Sequence, residues 1–329
     1  MNKLMQEKTP LKCWKMISFS IVLFTVFLFF IEFIIRIAGL HQLITYRCDP
    51  QFGYSPNPLQ KQRLLFNHVT INDIGFRSLH NSQTIRKGRI IYVGGDSVTY
   101  GDAYVDDKQT FCYLLEKSMS TKSKAPIFVL NAGINNYSVS HIIARCRTQG
   151  IPLRPEVMIL YIPDTDYMRC TRPMCNVGGI AFPSTNSHLG IITLYRLIAN
   201  QLLLRYPKYM PKGKTPFPCP SNRSYFEANL LLLSEFLKEY SKQVKIIVVY
   251  HPEIVRGSPQ EKIPELLSYH FEKIRGVTLE NGGLFLDLTP ILFDGHTGDY
   301  YRDALHLRVK GHEKVANFLI TQISKLMNF

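Results

Sequence analysis

Five short apolar runs alternate with segments of helical periodicity along residues 89–329. The runs are rich in Ile, Val, Leu and Tyr, and each has the length of a buried strand. Strands that alternate with helices form a parallel sheet with helices on both faces, so the chain is predicted to be an α/β protein. The predicted strands are 90–93, 127–130, 157–162, 245–250 and 284–288, and the predicted helices are 110–119, 139–148, 226–240, 261–274 and 309–326.

A Gly-Gly-Asp-Ser sequence directly follows the first predicted strand and ends at Ser97. Ser97 is therefore expected at the carboxyl edge of the sheet, where open α/β sheets build their sites. A helix is predicted to begin here, so the Ser97 backbone N–H is free to donate to an anion. These features indicate a nucleophile. The sequence lacks the G-x-G-x-x-G and G-K-[ST] patterns of nucleotide sites, which disfavours nucleotide binding.

Asp303 and His306 lie three residues apart in the last loop before the last predicted helix. At that spacing a carboxylate can orient an imidazole from the same turn. The imidazole can then take the proton of the Ser97 hydroxyl, which is too weakly acidic to attack unaided. Taken alone, His306 is equally well a surface or core histidine, but its place in the chain favours a catalytic role.

The second predicted strand ends in Asn131-Ala132-Gly133. A glycine allows the backbone to approach a ligand closely, and the Gly133 N–H can join that of Ser97 in binding an oxyanion. Taken alone, the motif is better explained as an ordinary turn at the end of a strand.

Two stretches fall outside the alternation. Residues 41–88 are polar and irregular, and they are predicted to form a connector that packs on the domain without a core of its own. Residues 163–223 are an insertion rich in Pro, Cys and Gly, with one apolar helix-like piece at 191–204. Because inserted loops on rigid scaffolds often carry specificity, we expect this insertion to form a wall of the substrate site.

Residues 16–40 have the length and apolar character of a membrane-spanning helix. The preceding residues 1–15 hold four lysines and one glutamate, which predicts a cytoplasmic N-terminal tail and an exported remainder. No small-x-small cleavage site follows, so an uncleaved anchor is favoured over a removed signal peptide. The alternative is a buried helix of a soluble protein, although uncharged runs in such helices are usually shorter.

The chain is basic, with a formal net charge of +14. The tail accounts for +3 of this, which leaves +11 on the part predicted to be exported. Such a surface suits anionic lipid headgroups or an anionic glycan, and general basicity without a partner explains it equally well. A nucleic-acid partner is not expected, because the chain has no basic-aromatic recognition motif and is predicted to be membrane-anchored.

Seven cysteines are present, and export permits disulfides. Cys170 and Cys175 lie in one loop and are expected to close a small ring, with Cys219 as a competing partner. Cys112 and Cys146 fall in predicted helices and are expected to be core thiols. No Cys-x-x-Cys spacing occurs, which argues against a zinc site built from cysteines.

Together the motifs resemble those of the SGNH (GDSL-like) hydrolase family. Gly95-Asp96-Ser97 corresponds to block one, Asn131-Ala132-Gly133 to block two and residues 303–306 to block five. Residues 72–77 also resemble the approach segment of membrane-anchored bacterial members. The resemblance covers about residues 70–329.

The resemblance implies a three-layer α/β/α sandwich with a flavodoxin-like parallel sheet, and an ester hydrolase that needs no metal or other cofactor. It also implies roles for the three residues already singled out: Ser97 as nucleophile, His306 as base and Asp303 as the group that orients the base.

The family's block three, Gly-x-Asn-Asp, is altered in this chain, where the third predicted strand ends in Pro-Asp-Thr-Asp. If Asp166 corresponds to the family Asp, Thr165 stands where the family Asn donates an amide to the oxyanion. A threonine hydroxyl can donate but is shorter, and losing one such donor costs roughly 3 kcal/mol in the transition state. A metal site of Asp164, Asp166 and His251 is an alternative, although nothing else in the sequence has ligand spacing.

The leading hypothesis is a membrane-anchored serine esterase or O-acyltransferase that acts on acyl esters of a glycan or a related cell-envelope molecule. Both activities share an acyl-serine intermediate and differ in the second nucleophile, which is water or a sugar hydroxyl. The alternative hypothesis, motivated by the altered block three, is a catalytically degenerate protein of the same fold that binds glycan or scaffolds an envelope complex.

Overall fold

A parallel sheet of five strands lies at the centre of the structure, a computed structural model that describes residues 10–64, 66–171, 175, 177–178, 182–205, 224–254 and 265–327. The strands are β1 (Tyr46–Asp49), β2 (Gly53–Pro56), β3 (Gln60–Leu64), β4 (Asn67–Ile71), β5 (Arg89–Gly95), β6 (Ile127–Asn131), β7 (Val157–Pro163), β8 (Lys245–His251) and β9 (Leu284–Asp287). The helices are α1 (Pro10–Ile37), α2 (Ser82–Ile85), α3 (Ser97–Tyr100), α4 (Phe111–Lys122), α5 (Val139–Arg145), α6 (Asp164–Tyr167), α7 (Gly190–Arg205), α8 (Ser224–Tyr240), α9 (Glu265–Glu280), α10 (Thr289–Leu292), α11 (Thr297–Tyr300) and α12 (Val309–Leu326).

The strand order of the central sheet is β6-β5-β7-β8-β9, and every neighbouring pair is parallel. The first strand of the sheet thus lies between the second and the third, which is the flavodoxin-like order. The order reverses between β5 and β7, and open α/β sheets bind ligands at the carboxyl ends of the strands at such a point. The α/β/α fold predicted for this chain is confirmed.

Helices cover both faces of the sheet because side chains alternate along each strand. Ile90 and Tyr92 of β5 pack in the core beneath α5, α8 and α9. Ile91 and Val93 pack in the second core, beneath α4 and α12. The strands β5, β6, β7 and β8 therefore read as apolar runs, which is the pattern of a parallel sheet buried on both sides, while the edge strand β9 is only partly covered.

The α9 helix continues to Glu280, six residues beyond the predicted end at 274. Gly276 weakens the helical signal there, because glycine costs about 1 kcal/mol relative to alanine in a helix. The turn is held by tertiary packing instead: Ile274 and Thr278 are buried, and the Thr278 hydroxyl donates to the Ile274 carbonyl at 2.7 Å. The predicted first residues of this helix, 261–264, lie outside the described residues.

The connector is more regular than its sequence indicates, since it contains two antiparallel hairpins, β1-β2 and β3-β4. Tyr46, Tyr54 and Val69 of these hairpins are buried in the same core as the helices of the domain. The polar sequence of β3, QKQRL, conceals the strand because its side chains alternate between partly buried and exposed positions. A strand covered on one side shows no apolar run.

Arg77 joins the connector to the sheet and to the loop after α3. Its side chain is 2% exposed and pairs with Asp107 at 2.9 Å. The guanidinium also donates to the carbonyls of Tyr100, Asp102 and Val105 at 2.7–2.8 Å. All of these contacts are buried or partly buried, so the loop beside Ser97 depends on Arg77 for its shape.

The expected Cys170–Cys175 ring is wrong. Cys175 is bonded to Cys48 of β1, across 127 residues of sequence. Cys170 also takes part in a disulfide. The short spacing within one loop suggested a local ring, but the folded connector brings β1 beside the insertion. Cys112 and Cys146 are free and buried, as predicted for core thiols.

One helix in the described part of the chain is long and apolar enough to cross a membrane. It runs from Trp14 to Ile37 within α1, with a mean hydropathy of 2.5, and its apolar window is not buried against the rest of the protein. In the described part of the insertion, Phe182 packs on Tyr46 and Tyr54 of the connector, and α7 begins beside the C-terminal end of α1.

Candidate active site

Ser97 is the first residue of α3, directly after the end of β5. Asp96 caps this short helix, and its carboxylate accepts the Val98 N–H at 2.9 Å. The strand can turn this sharply because Gly95 has no side chain, since a Cβ there would lie 2.1 Å from the Thr99 Oγ1. The turn leaves the Ser97 side chain at the carboxyl edge of the sheet, as the strand-end argument predicts.

The structure brings Ser97, His306 and Asp303 together at that edge. The Ser97 Oγ lies 2.9 Å from the His306 Nε2, although 209 residues separate them in sequence. On the other side of the ring, the His306 Nδ1 lies 2.9 Å from Oδ2 and 3.1 Å from Oδ1 of Asp303. A hydroxyl, an imidazole and a carboxylate thus form a continuous chain, which is the arrangement that activates a serine nucleophile.

The Asp303 carboxylate also shapes the loop that carries the histidine. Its Oδ1 accepts the backbone N–H of His306 at 2.8 Å and that of Leu305 at 2.9 Å. Partial burial acts to raise the pKa of Asp303, but these two N–H donors and the neighbouring imidazole outweigh it and hold the pKa below its ordinary value. The carboxylate therefore stays ionised and keeps the Nδ1 proton of His306 in place.

A second histidine, His251, supports the same loop from beneath. Its Nε2 lies 2.9 Å from the Leu305 carbonyl, which can only accept, so Nε2 carries the proton. Burial lowers the pKa of His251 to about 3, so the ring is neutral and its Nδ1 accepts from the Tyr161 hydroxyl at 2.7 Å. Both ring nitrogens are engaged, and sequence reasoning missed this supporting role.

The alternative metal site is not assembled. His251 contacts the loop that carries His306, while the Asp164 carboxylate pairs with the His270 imidazole at 3.0 Å. Asp166 is buried, and its Oδ1 lies 2.8 Å from the Arg169 Nη1. Within the described part of the chain, no group of three His, Cys, Asp or Glu residues is placed to hold a metal ion.

The predicted oxyanion donors differ in their availability. As the first residue of a helix, Ser97 has a backbone N–H without an intrahelical acceptor. The Gly133 N–H donates to the Asn131 Oδ1 at 3.0 Å, so it must be shared or released to bind substrate. Gly133 itself packs tightly against α3, since a Cβ there would lie 2.4 Å from the Tyr100 nitrogen. Close packing against α3 explains the glycine, whereas the sequence suggests close approach to a ligand.

Thr165 is hydrogen-bonded to the carboxyl group of Glu253, a residue that sequence reasoning missed. The Thr165 N–H donates to the Glu253 Oε1 at 2.8 Å. Burial raises the pKa of Glu253 to about 7, and the negative charges of Asp164 and Asp96 add to this effect, while the contacts with Thr165 oppose it. Glu253 follows β8 at the same edge of the sheet, so the strand-end rule used for Ser97 is the signal that could have found it.

An aromatic side chain and an arginine lie beside His306. The Tyr104 ring packs edge-on against His306, with 5.8 Å between ring centroids. The Arg302 guanidinium lies 3.7 Å from the centroid of the Tyr104 ring. The same two residues line a groove together with Arg308, Lys310 and Asp299. Asp299 pairs with Lys310 at 3.0 Å, so the two arginines leave the groove with an excess of positive charge. No sequence motif marks Tyr104 or Arg302, because only the fold brings them close to His306.

No family model matches this chain, and no curated protein matches it. Among solved structures, a lipase/acylhydrolase from Enterococcus faecalis is similar at 14% identity and a TM-score of 0.46, over 72% of this chain and 96% of that one. Axe2, an acetylxylan esterase from Geobacillus stearothermophilus, is similar at 15% identity and a TM-score of 0.45, over 72% of this chain and 94% of that one. LAE5, an alpha/beta hydrolase from the metagenome of Lake Arreo, Spain, is similar at 16% identity and a TM-score of 0.44, over 71% of this chain and 94% of that one. Similarity of this extent assigns neither a family nor an activity to this chain.

Proposed function

We propose that this protein is a serine esterase or O-acyltransferase of the SGNH type. The observation that carries the proposal is the unbroken chain of contacts from the Ser97 Oγ through His306 to the Asp303 carboxylate, at 2.9 Å on each side of the ring. Chains of this kind convert an inert alcohol into an attacking group, because the imidazole removes its proton as the new bond forms.

In the proposed reaction, the Ser97 Oγ attacks the carbonyl carbon of an acyl ester while His306 Nε2 takes the hydroxyl proton. The negative charge that develops on the carbonyl oxygen is stabilised by the Ser97 N–H. The tetrahedral intermediate collapses as the bond to the leaving alcohol breaks, and His306 returns the proton to that alcohol. Water or a second hydroxyl, deprotonated by His306, then attacks the acyl carbon. The bond between that carbon and the Ser97 Oγ breaks, His306 returns the proton to the Ser97 Oγ, and the acyl group leaves as a free acid or as the ester of the second hydroxyl.

We propose an acylated glycan or a related envelope molecule as the substrate. The groove beside His306 combines the Tyr104 ring with Arg302, Arg308 and Lys310. An aromatic ring offers a flat apolar surface to a sugar ring, and arginine pairs well with carboxylates and hydroxyl-rich groups. The basic balance of the chain suits a negatively charged glycan.

We further propose that α1 is kept as an anchor, with the N-terminus in the cytoplasm and the domain outside. The C-terminal end of α1 is built into the fold, which supports retention rather than cleavage. Ile35 is 3% exposed, and the Arg36 guanidinium donates to the His188 carbonyl at 2.8 Å. The Cys48–Cys175 disulfide suits an oxidising compartment.

A second candidate function, glycan binding without catalysis, is favoured by one observation. Two of the three predicted oxyanion donors are engaged elsewhere: the Gly133 N–H donates to Asn131, and Thr165, whose hydroxyl is the predicted donor, contacts Glu253 through both its N–H and its side chain. A site with only the Ser97 N–H facing the oxyanion would be slow, because each missing donor costs roughly 3 kcal/mol.

Labelling with a fluorophosphonate probe and turnover of p-nitrophenyl acetate distinguish the two candidates. The enzyme proposal expects both signals in the native protein, both lost in Ser97→Ala and both kept in Ser123→Ala, a matched change at the end of α4. Native protein with an intact circular-dichroism spectrum but neither signal would support the binding role. Adding a soluble oligosaccharide and detecting its acylated form by mass spectrometry separates a transferase from an esterase.

A further inference from the structure

The α7 helix exposes an apolar face that the catalytic proposal does not use. Ile191, Tyr195, Ile198 and Leu202 recur at spacings of four, three and four, and are 36%, 71%, 51% and 53% exposed. That spacing places all four on one side of a helix. Among the described side chains of α7, the polar Thr193 is buried and Arg196 is an exposed polar one. The helix therefore exposes an apolar face in addition to the charged Arg196.

The position of α7 indicates what covers this face. The Glu32 carboxylate of α1 accepts the backbone N–H groups of Gly190 and Ile191, at 2.9 and 3.0 Å. The two helices approach so closely that a Cβ on Gly190 would lie 2.7 Å from the Ile35 Cγ2. Helix α7 therefore starts beside the last turns of α1, whose own apolar surface is exposed.

If α1 crosses a bilayer, its last turns lie at the bilayer surface, and α7 starts at that same depth. The apolar face of α7 would then be continuous with the lipid-facing surface of α1. The charge of α7 also fits such a position, because its sequence contains Arg196 and Arg205 and no acidic residue. Helices that lie in the membrane interface combine an apolar face with basic residues that contact anionic headgroups.

We propose that α7 lies on the bilayer crossed by α1, with Ile191, Tyr195, Ile198 and Leu202 directed toward the acyl chains. This inference rests on the proposed anchor and is independent of the proposed catalysis. It gives the domain a second contact with lipid, which restricts its rotation about α1 and holds the domain in one orientation relative to the membrane.

Quenching of tryptophan fluorescence by brominated lipids tests the proposal in the full chain. The only native tryptophan is Trp14, so Tyr195→Trp and Ile198→Trp are made in a Trp14→Phe background and placed in vesicles of phosphatidylcholine and phosphatidylglycerol. Leu231→Trp on α8, a position that is 58% exposed, is the matched control. We expect at least a twofold loss of emission at 195 and 198 in brominated vesicles and no loss at 231.

The unaltered protein, read at Trp14, reports separately whether α1 is inserted. Quenching at Trp14 without quenching at 195 and 198 would overturn the placement of α7 and leave the anchor standing. Blue-shifted but unquenched emission at 195 would show that a protein surface covers the face, which also overturns the proposal. No quenching at Trp14 would overturn both the anchor and the placement of α7. Esterase assays on the same vesicles keep failure of the catalytic proposal distinct from these outcomes.

Discussion

Asp303 contacts His306, the proposed base, twice: once through the imidazole and once through the backbone. Its carboxylate meets the His306 Nδ1 at 2.9 Å and accepts the His306 N–H at 2.8 Å. The first contact selects the tautomer that leaves Nε2 free to accept the serine proton, and the second holds the ring in position. The low pKa of Asp303 keeps both contacts in place at neutral pH.

The Asp303→Asn variant is expected to lose roughly 10²- to 10⁴-fold in kcat/KM, because an amide cannot stabilise the imidazolium and can select the wrong tautomer. Steady-state hydrolysis of p-nitrophenyl acetate measures this. The control is Glu272→Gln, whose exposed carboxylate meets Arg275 at 3.4 Å away from the site, and it should retain nearly full activity. An Asp303→Asn enzyme whose kcat/KM lies within threefold of the native value would contradict the assigned role.

Glu253 makes stability depend on pH. Its pKa rises from an ordinary 4.5 to about 7, mainly because of burial. Between these values the folded protein keeps a proton that the unfolded chain releases, so this contribution to stability is present below the lower value and is lost as the pH rises through the upper one. The free energy lost can reach about 3 kcal/mol.

The Glu253→Gln variant should therefore respond less to pH than the native protein. Gln keeps an acceptor for the Thr165 N–H but does not titrate. Urea unfolding in detergent micelles at pH 5 and pH 8 should show native stability falling, relative to the variant, by about 2–3 kcal/mol over this range. Parallel pH dependences of the two proteins would contradict the raised pKa of Glu253.

At the scale of elements, the connector and the domain behave as one packed unit. The two hairpins bury Tyr46, Tyr54 and Val69 in the domain core. Arg77 then ties the end of the connector to the loop after α3 through Asp107 and a set of carbonyls. The loop next to Ser97 is therefore shaped by a segment outside the sheet.

Replacing Arg77 should be costly. The Arg77→Met change leaves the Asp107 carboxylate buried without its partner, and breaking such a pair typically costs about 3–5 kcal/mol. The Arg275→Met change removes an exposed pair with Glu272 at 3.4 Å and should cost less than about 1 kcal/mol. Chemical denaturation of both variants measures the difference, and equal losses would show that Arg77 has no special structural role.

The strands of the central sheet could be predicted from the sequence, while the hairpins could not. Residues such as Ile90–Val93 are buried on both faces, so the whole run is apolar and stands out from its neighbours. The strands β3 and β4 are short and covered on one side, and their polar residues resemble a loop. Local sequence shows the degree of burial, and it does not show pairing.

At the scale of the whole molecule, three segments distant in sequence meet outside the sheet. The disulfide joins Cys48 of the connector to Cys175 of the insertion. The insertion continues into α7, which is fastened to the end of α1 by Glu32 and Arg36. The role of this insertion as a wall of the substrate site stays a prediction. Its described contacts are with the connector, with α1 and, through residues 164–170, with α5, α8 and α9.

Removing the disulfide should loosen this assembly. The Cys48→Ser and Cys175→Ser double variant opens a loop that spans 127 residues, and its loss should cost about 2–5 kcal/mol, mainly through the greater freedom of the unfolded chain. Without reductant, we expect the double variant to melt at a lower temperature than the native protein. In reductant, we expect the two proteins to melt at the same temperature. Cys112→Ser, at a buried free thiol, controls for loss of a cysteine alone.

The sequence by itself determined the parallel sheet and the placement of Ser97, Asp303 and His306 at its carboxyl edge. Both follow from local patterns, because burial on two faces makes strands apolar and a spacing of three places a carboxylate beside an imidazole. Only the tertiary structure decided that Cys175 pairs with Cys48, that the Glu253 carboxyl group accepts the Thr165 N–H and that α7 exposes its apolar side. These features depend on which distant segments are brought together, and no local pattern carries that information.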